Sequence, residues 1–287
     1  MRQRTLLTVM ATLAAALTLA VAVGAVIVGA GLYDVGATTQ HTRPVYALLE
    51  TTMHRAVRLR AADIKVPPLS APGRVDRGAA CYRDHCVQCH GGPGVAPGPV
   101  GMSMQPLPGP LVDAARRWRE RELYWITRHG IRMSGMPAWG MRLSDEDIWS
   151  VVAFLSALPR LSPAEYTGRM DAVREAQCLL PSSVSEGATL PAERLPPDER
   201  ARVALRQYAC VACHRIPGVT GSATHVGPPL HGLARRELIA GRLPNTRDNL
   251  VRWIRAPQAV KPGSAMPDLG VTEEHARVMA AYLAGLH

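Results

Sequence analysis

The chain has 287 residues, enough for two ordinary domains, and 47% of them are hydrophobic, which excludes a disordered chain. Its formal net charge is +10, but no basic run alternates with stacking aromatic residues, which makes nucleic-acid binding a poor interpretation. The positive charge favours an acidic protein partner or an anionic membrane surface, with an ordinary solvated surface as the plain alternative.

The first predicted element is a membrane-spanning helix. Residues 5–33 contain no charged side chain and would extend about 43 Å as a helix, longer than the ~30 Å hydrocarbon core of a bilayer. This stretch is about twice as long as the apolar core of a signal peptide, so an uncleaved anchor over residues 1–35 is favoured over a cleaved signal. Arg2 and Arg4 precede the stretch and favour a cytoplasmic N-terminus.

A juxtamembrane segment, residues 36–73, follows the anchor. Within it, residues 44–62 carry apolar side chains at helical spacing, and arginines occur near the C-terminal end. This pattern predicts a helix that lies on the membrane surface, packs on a partner subunit or serves as a simple spacer.

The rest of the chain contains two copies of one unit. Cys86-Val87-Gln88-Cys89-His90 (the first motif, 86–90) recurs 124 residues later as Cys210-Val211-Ala212-Cys213-His214 (the second motif, 210–214). Each motif is followed by a loop rich in glycine and proline, an amphipathic helix, a Met-Pro step and a final helix. The repeat predicts two domains, 74–165 and 197–287, joined by a linker at 166–196.

Start and stop signals place the helices of each copy. In the first copy they predict helices at 76–90, at 120–129 before Gly130, and after the N-cap Ser144. In the second copy they predict helices at 197–210, at 246–256 and after Thr272. Strands are hardly signalled, so the predicted fold class is all-α.

The motif has a specific chemical logic. Two thiols on adjacent turns reach the two vinyl groups of one porphyrin edge, and the histidine that follows binds the iron. A methionine from the Met-Pro step would bind the opposite face. The predicted cofactors are therefore two covalently bound haem c groups. The predicted haem-binding residues are Cys86, Cys89, His90, Met136, Cys210, Cys213, His214 and Met266. Of these, the iron ligands are His90, Met136, His214 and Met266.

Other interpretations of these residues are weaker. A zinc site would combine both CxxC pairs, and a thioredoxin-like pair would need a βαβ pattern, whereas here a histidine follows each pair in a helical context. The rival ligands are ordinary core, loop or surface residues in the plainer interpretation. They are Met102, Met104, Met133, Met141, His85, His129, His225 and His231.

Both copies resemble class I cytochrome c domains over approximately residues 74–160 and 197–286. In the first copy, Gly78-x-x-x-Tyr82 is similar to the family's helix-crossing pattern, in which a glycine lets the last helix approach closely. The second copy has Arg202 and Arg206 at the corresponding positions. The resemblance therefore implies a shift of that contact to Ala201 or Ala204 and Tyr208.

Two further stretches carry the resemblance in the second copy. Gly227-Pro228-Pro229-Leu230 resembles the family loop whose proline carbonyl orients the proximal histidine, which implies that Pro228 or Pro229 contacts His214. Residues 243–246 together with 266–270 resemble cytochrome c domains associated with bacterial haem–copper oxidases. That resemblance implies a terminal oxidase of this type as the partner.

Two cysteines remain outside the motifs. Cys81 and Cys178 lie 97 residues apart, and a compartment outside the cytoplasm allows them to form a disulfide. Two free buried thiols are the open alternative.

These observations predict a single-pass protein of the bacterial inner membrane with periplasmic haem domains. It would be an electron carrier and not an enzyme, because neither iron keeps an open position. The expected partners are a terminal haem–copper oxidase and an upstream donor such as a quinol–cytochrome c reductase. The alternatives are a cytochrome subunit of a periplasmic or membrane dehydrogenase and, less favoured, a dihaem peroxidase.

Overall fold

The computed structural model describes residues 2–178, 195–221 and 226–287. The described chain is mostly helical, as predicted, and it forms two hydrophobic cores, one in each half of the part that follows the N-terminal helix. We call the halves built around these cores the first unit and the second unit. The α-helices are α1 (Arg2–Gly29), α2 (Arg43–Ala61), α3 (Arg74–His85), α4 (Val87–His90), α5 (Pro99–Met102), α6 (Ala114–Arg117), α7 (Glu120–His129), α8 (Asp145–Ala157), α9 (Pro163–Ala172), α10 (Pro197–Gln207), α11 (Arg247–Arg255), α12 (Pro257–Val260) and α13 (Glu273–Ala284).

Short elements complete the described chain. Two strands of two residues each, β1 (Leu238–Ile239) and β2 (Leu243–Pro244), pair antiparallel in the second unit. Single 3-10 turns occupy Trp139–Met141, Leu158–Arg160, Cys210–Ala212 and Leu233–Arg235.

The N-terminal helix is a candidate membrane anchor. Residues Gln3–Gly29 of α1 have a mean hydropathy of 2.4, and none of them is buried inside the protein. Such a long, apolar and uncovered helix matches the length that a bilayer requires.

The juxtamembrane helix α2 packs on the first unit, a contact that its sequence left open. Val57 and Ala61 are buried, and the ring of His54 stacks on Trp118 with 4.2 Å between centroids. Arg121 of α7 donates a hydrogen bond of 3.0 Å to the carbonyl of Ala62. The C-terminal half of α2 is therefore part of the first unit.

A close helix crossing holds the first unit together. Gly78 of α3 lies so near α8 that an added Cβ would be 1.9 Å from the carbonyl oxygen of Ser150. Four residues later, the ring of Tyr82 packs on Phe154 with 5.2 Å between centroids. The predicted cap of α8 is confirmed, because Ser144 Oγ accepts a hydrogen bond from the backbone N–H of Asp147.

A disulfide and its neighbours fasten the segment that follows α9 to α3. Cys81 and Cys178 are bonded, which resolves the alternative left open by the sequence. Arg83 donates a hydrogen bond of 2.6 Å to the carbonyl of Ala176, and Asp84 accepts one of 3.0 Å from the backbone N–H of Cys178. The first core therefore extends beyond residue 165, where the sequence placed the domain boundary.

The second unit is built on α10, α11 and α13. Ala201 and Ala204 of α10 are buried, with 0% and 1% of their surface exposed, and Tyr208 after the helix is also buried. These are the residues to which the resemblance shifts the helix contact, and that shift stays a prediction. The predicted start of α13 at Thr272 is confirmed, and Thr246 is the N-cap of α11, since each side chain accepts a backbone N–H of the first helical turn.

The helices that lead into the motifs end earlier than predicted. The first was expected to run to residue 90, but α3 ends at His85 and a separate turn, α4, follows. The second was expected to run to Cys210, but α10 ends at Gln207, and Ala209 adopts a left-handed conformation with φ 54°. Both motifs therefore begin with a change in chain direction.

Candidate haem sites

The two motifs fold into the same backbone turn. In the first, the N–H groups of Cys89 and His90 donate to the carbonyl of Cys86 at 3.1 and 3.0 Å. In the second, the N–H groups of Cys213 and His214 donate to the carbonyl of Cys210 at 3.2 and 2.9 Å, and this agreement extends the sequence repeat to the backbone. The turn holds both thiols and the imidazole of each motif together.

Each histidine of the motifs is oriented by a backbone carbonyl. His90 Nδ1 lies 2.8 Å from the carbonyl oxygen of Gly109, and His214 Nδ1 lies 2.8 Å from that of Pro228. Since Nδ1 is engaged as a donor, Nε2 is left as the nitrogen for a metal. Burial lowers the pKa of His90, against the smaller opposite effect of the Gly109 carbonyl, so its imidazole is neutral at pH 7. Neutral imidazole is the form that binds iron.

The four cysteines of the motifs are not in disulfides. Burial raises the pKa of the Cys86 thiol to about 12 and that of Cys210 to about 11. These thiols are protonated at neutral pH and are not the exposed, acidic thiols of a redox-active CxxC pair.

Two loop glycines pack closely against residues of the motifs. A Cβ on Gly227 would lie 2.5 Å from the imidazole of His214, and a Cβ on Gly101 would lie 2.8 Å from the Cα of Cys89. His214 also lines a cavity of about 380 Å³ together with Ile216 and His231. The paired thiols and the carbonyl-oriented imidazoles are the donor set that a covalently attached haem requires.

The Met-Pro loops are also alike in the two units. The backbone N–H of Met136 donates to Ser134 Oγ, and that of Met266 donates to Ser264 Oγ, both at 3.2 Å. Both methionines are partly buried. The assignment of their sulfurs as iron ligands stays a prediction.

The rival methionines lie in different environments. The side chain of Met133 is 92% exposed, whereas Met141 is buried in the second core. Met104 lies near the first Met-Pro loop, because a Cβ on Gly135 would be 2.4 Å from its sulfur.

The rival histidines were expected to be ordinary residues. The ring of His85 packs on Trp139 with 4.8 Å between centroids, and that of His129 packs on Trp125 with 4.9 Å. His231 lines the cavity beside His214, which the sequence did not indicate. His225 lies outside the described residues.

The sequence missed the carbonyl that orients His90. Gly109 lies in Pro108-Gly109-Pro110, 19 residues after the histidine, and this stretch does not match the Gly-Pro-Pro pattern of the second unit. The two prolines that restrict the backbone around Gly109 were the available signal.

Comparison with known proteins finds one family model and two curated relatives. Residues 73–155 match the family model described as cytochrome c oxidase, cbb3-type, subunit III. The cytochrome c oxidase subunit 2 of Alkalihalophilus pseudofirmus is 39% identical over 88 residues, which are 30% of this chain and 25% of that protein. The subunit of the same name from Bacillus sp. (strain PS3) is 32% identical over 87 residues, 29% of this chain and 24% of that protein. The chain therefore spans about a quarter of the length of these curated relatives, and no solved structure matches it significantly.

Residues 73–155 thus contain a cytochrome c domain related to subunit III of cbb3-type oxidases. Domains of this family carry electrons and hold haem c covalently, and the first motif lies inside the matched residues.

Proposed function

We propose that the chain is a membrane-anchored dihaem cytochrome c that passes electrons to a haem–copper terminal oxidase. Haem c supplies a one-electron redox centre in each unit when it is attached. The cysteine side chains of each motif would anchor the porphyrin, the carbonyls of Gly109 and Pro228 orient the two imidazoles, and the methionine sulfurs would tune the potential. No bond of a substrate is made or broken, so the chain is a carrier and not an enzyme.

The repeated motif turn is the observation that carries the two-haem proposal. The second motif lies outside the residues matched by the family model, yet its turn has the hydrogen bonds of the first. His214 also has a carbonyl partner at the distance found for His90. Two units with the same local chemistry are expected to hold the same cofactor.

Counting the haems tests this proposal. The full chain, produced with a haem-attachment system, should carry two haems in the pyridine haemochrome assay. Cys86→Ala/Cys89→Ala and Cys210→Ala/Cys213→Ala should each carry one. A wild-type chain with one haem would overturn the dihaem assignment. So would a Cys210→Ala/Cys213→Ala variant with as many haems per chain as the wild type.

The sixth ligands have a separate test. Met136→Leu and Met266→Leu should each remove half of the red-region absorption band that a methionine–iron bond produces, while both haems stay attached. Met133→Leu is the matched control, because it makes the same substitution at an exposed position in the same loop. An unchanged band in either ligand variant would reject that methionine.

The oxidase partner is supported by the match of residues 73–155 to an oxidase subunit family and by the similarity of 88 residues of the chain to a cytochrome c oxidase subunit 2. The net charge of +10 also favours docking onto an acidic surface. The reduced protein should support oxygen consumption by a purified haem–copper oxidase, with a rate that falls as salt is added. Isolation from membranes with a dehydrogenase and without an oxidase would contradict this partner.

The haem units are proposed to lie in the periplasm of a bacterium, with a quinol–cytochrome c reductase as the upstream donor. Candidate anchor α1 has an arginine just before its apolar core, which favours a cytoplasmic N-terminus. An alkaline phosphatase fused after His287 should be active, because that enzyme requires the periplasm. An inactive but stable fusion would place the C-terminus in the cytoplasm and contradict this topology.

A further inference from the structure

One short turn contacts both motif regions. It comprises residues 139–142, follows the first Met-Pro step directly, and we call it the bridging turn. Its first residue, Trp139, packs on His85, which precedes Cys86 in the chain. Its last residue, Arg142, reaches the second unit at Tyr208, two residues before the second motif.

Arg142 makes two kinds of contact with the second unit. Its Nη2 donates a hydrogen bond of 3.0 Å to the carbonyl oxygen of Gln207. Its guanidinium carbon lies 4.7 Å from the centre of the Tyr208 ring, within the range of a cation–π contact. A planar guanidinium can stack on a ring and donate sideways at once, which the ammonium of lysine cannot do.

The residues of the second unit around this contact are buried. Tyr208 is 3% exposed, and its hydroxyl lies 3.0 Å from Nδ1 of the buried His275. Next to Arg142 in the chain, Met141 is 9% exposed and belongs to the core of the second unit. A residue of the first unit thus completes the second core, so the units are packed together and are not merely linked by the chain.

We propose that Arg142 is a positioning residue that fixes the two haem-bearing units in one orientation and makes the bridging turn the route for electrons between them. The route runs from the first motif through His85 and Trp139 to Arg142, and then through Tyr208 to Cys210. With haem attached to both motifs, one electron would pass between the two units along these residues, and no proton or bond would change. This inference rests on the proposed function, because it requires two haems.

The test compares variants of the full-length protein with both haems attached. Arg142→Ala removes both contacts. Arg142→Lys keeps the positive charge, but its ammonium cannot stack on the Tyr208 ring and donate to the Gln207 carbonyl at the same time. Arg132→Ala is the matched control, because it removes the same charge from an exposed position just before the Met-Pro step. No hydrogen bond or ion pair joins Arg132 to the second unit among the described residues.

Two measurements are made on each variant. Rapid photoreduction of one haem followed by optical detection gives the rate of electron redistribution between the haems. Hydrogen–deuterium exchange of residues 139–143 and 203–209 gives a readout that does not depend on electron transfer. In Arg142→Ala the rate should fall about tenfold, equivalent to about 1.4 kcal/mol in the barrier. Exchange should be faster in both segments, Arg142→Lys should lie between, and Arg132→Ala should match the wild type.

The outcomes separate the inference from the proposed function. A wild-type chain with a single haem overturns the function and the inference together. Two haems with an unchanged rate in Arg142→Ala overturn the inference alone, whether or not the exchange changes. An equal loss of rate in Arg132→Ala would show an effect of charge and would also overturn it.

Discussion

The crossing of α3 and α8 leaves no space for a methyl group at Gly78. A Cβ there would lie 1.9 Å from the carbonyl oxygen of Ser150 and 2.9 Å from Cβ of Phe154. Because the nearer atom belongs to the backbone of a helix, it cannot rotate away as the end of a side chain could. Gly78→Ala should therefore push the two helices apart by roughly 1.5 Å, the distance needed to restore an ordinary contact.

The net cost follows from two opposing effects. Overpacking of a tight core costs about 3 kcal/mol at the upper end of its usual range, which suits a clash with backbone. Alanine in place of glycine inside a helix returns about 1 kcal/mol. The free energy of unfolding of the first unit should fall by about 2 kcal/mol, which lowers the Tm of a unit of roughly 100 residues by about 8–16 °C.

Gly168 provides the matched control. It lies in α9, and nothing is found within 4 Å of the position that its Cβ would occupy. Gly168→Ala should therefore raise the stability by about 0.5–1 kcal/mol. Thermal unfolding of the haem-loaded protein, followed by circular dichroism, measures both variants. A Gly78→Ala variant as stable as the wild type, or two variants that shift in the same direction, would refute the reasoning.

Three further predictions follow from the structure. Cys81→Ser/Cys178→Ser should lower the free energy of unfolding by about 2–4 kcal/mol in urea titrations, because the bond closes a long loop of the unfolded chain. Thr272→Ala should cost ~1 kcal/mol in the same assay and Thr272→Ser almost nothing, since the hydroxyl caps α13. Burial lowers the pKa of His275 from 6.5 against the smaller opposite effect of Glu274, and Arg142 adds a still smaller lowering. The unfolded chain therefore binds a proton there that the folded chain does not. Stability should therefore fall as the pH drops below about 6.5, and unfolding curves of His275→Gln should show a shallower pH dependence.

The helix termini were the most predictable part of the fold. Gly130 ends α7, and Ser144 and Thr272 stand at the starts of their helices, as their local sequences indicated. These signals succeed because a cap satisfies backbone groups within one turn of itself. The contact of Pro228 with His214 was implied by the family resemblance and is also present.

The contacts between distant segments were not predictable in the same way. The carbonyl of Gly109 carries no side-chain signal, and its place beside His90 depends on the path of the whole intervening loop. The contact of Arg142 with Tyr208 depends on how two folded units pack, which no local pattern encodes. The end of α3 at His85 was missed because no start or stop signal separates the helix from the motif. The backbone nevertheless changes direction there, and a separate turn follows.

The packing of α2 on the first unit limits the distance between that unit and the candidate anchor α1. Residues 30–42 join the end of α1 to the start of α2 and can extend at most about 45 Å when fully stretched. Since the C-terminal half of α2 is docked through Val57 and Ala61, the first unit cannot use that half of the helix as extra length. An acceptor whose docking site lies farther from the membrane than the joining residues and the first unit can extend would have to be contacted lower on its side. The second unit, held by the bridging turn, would move with the first as one body.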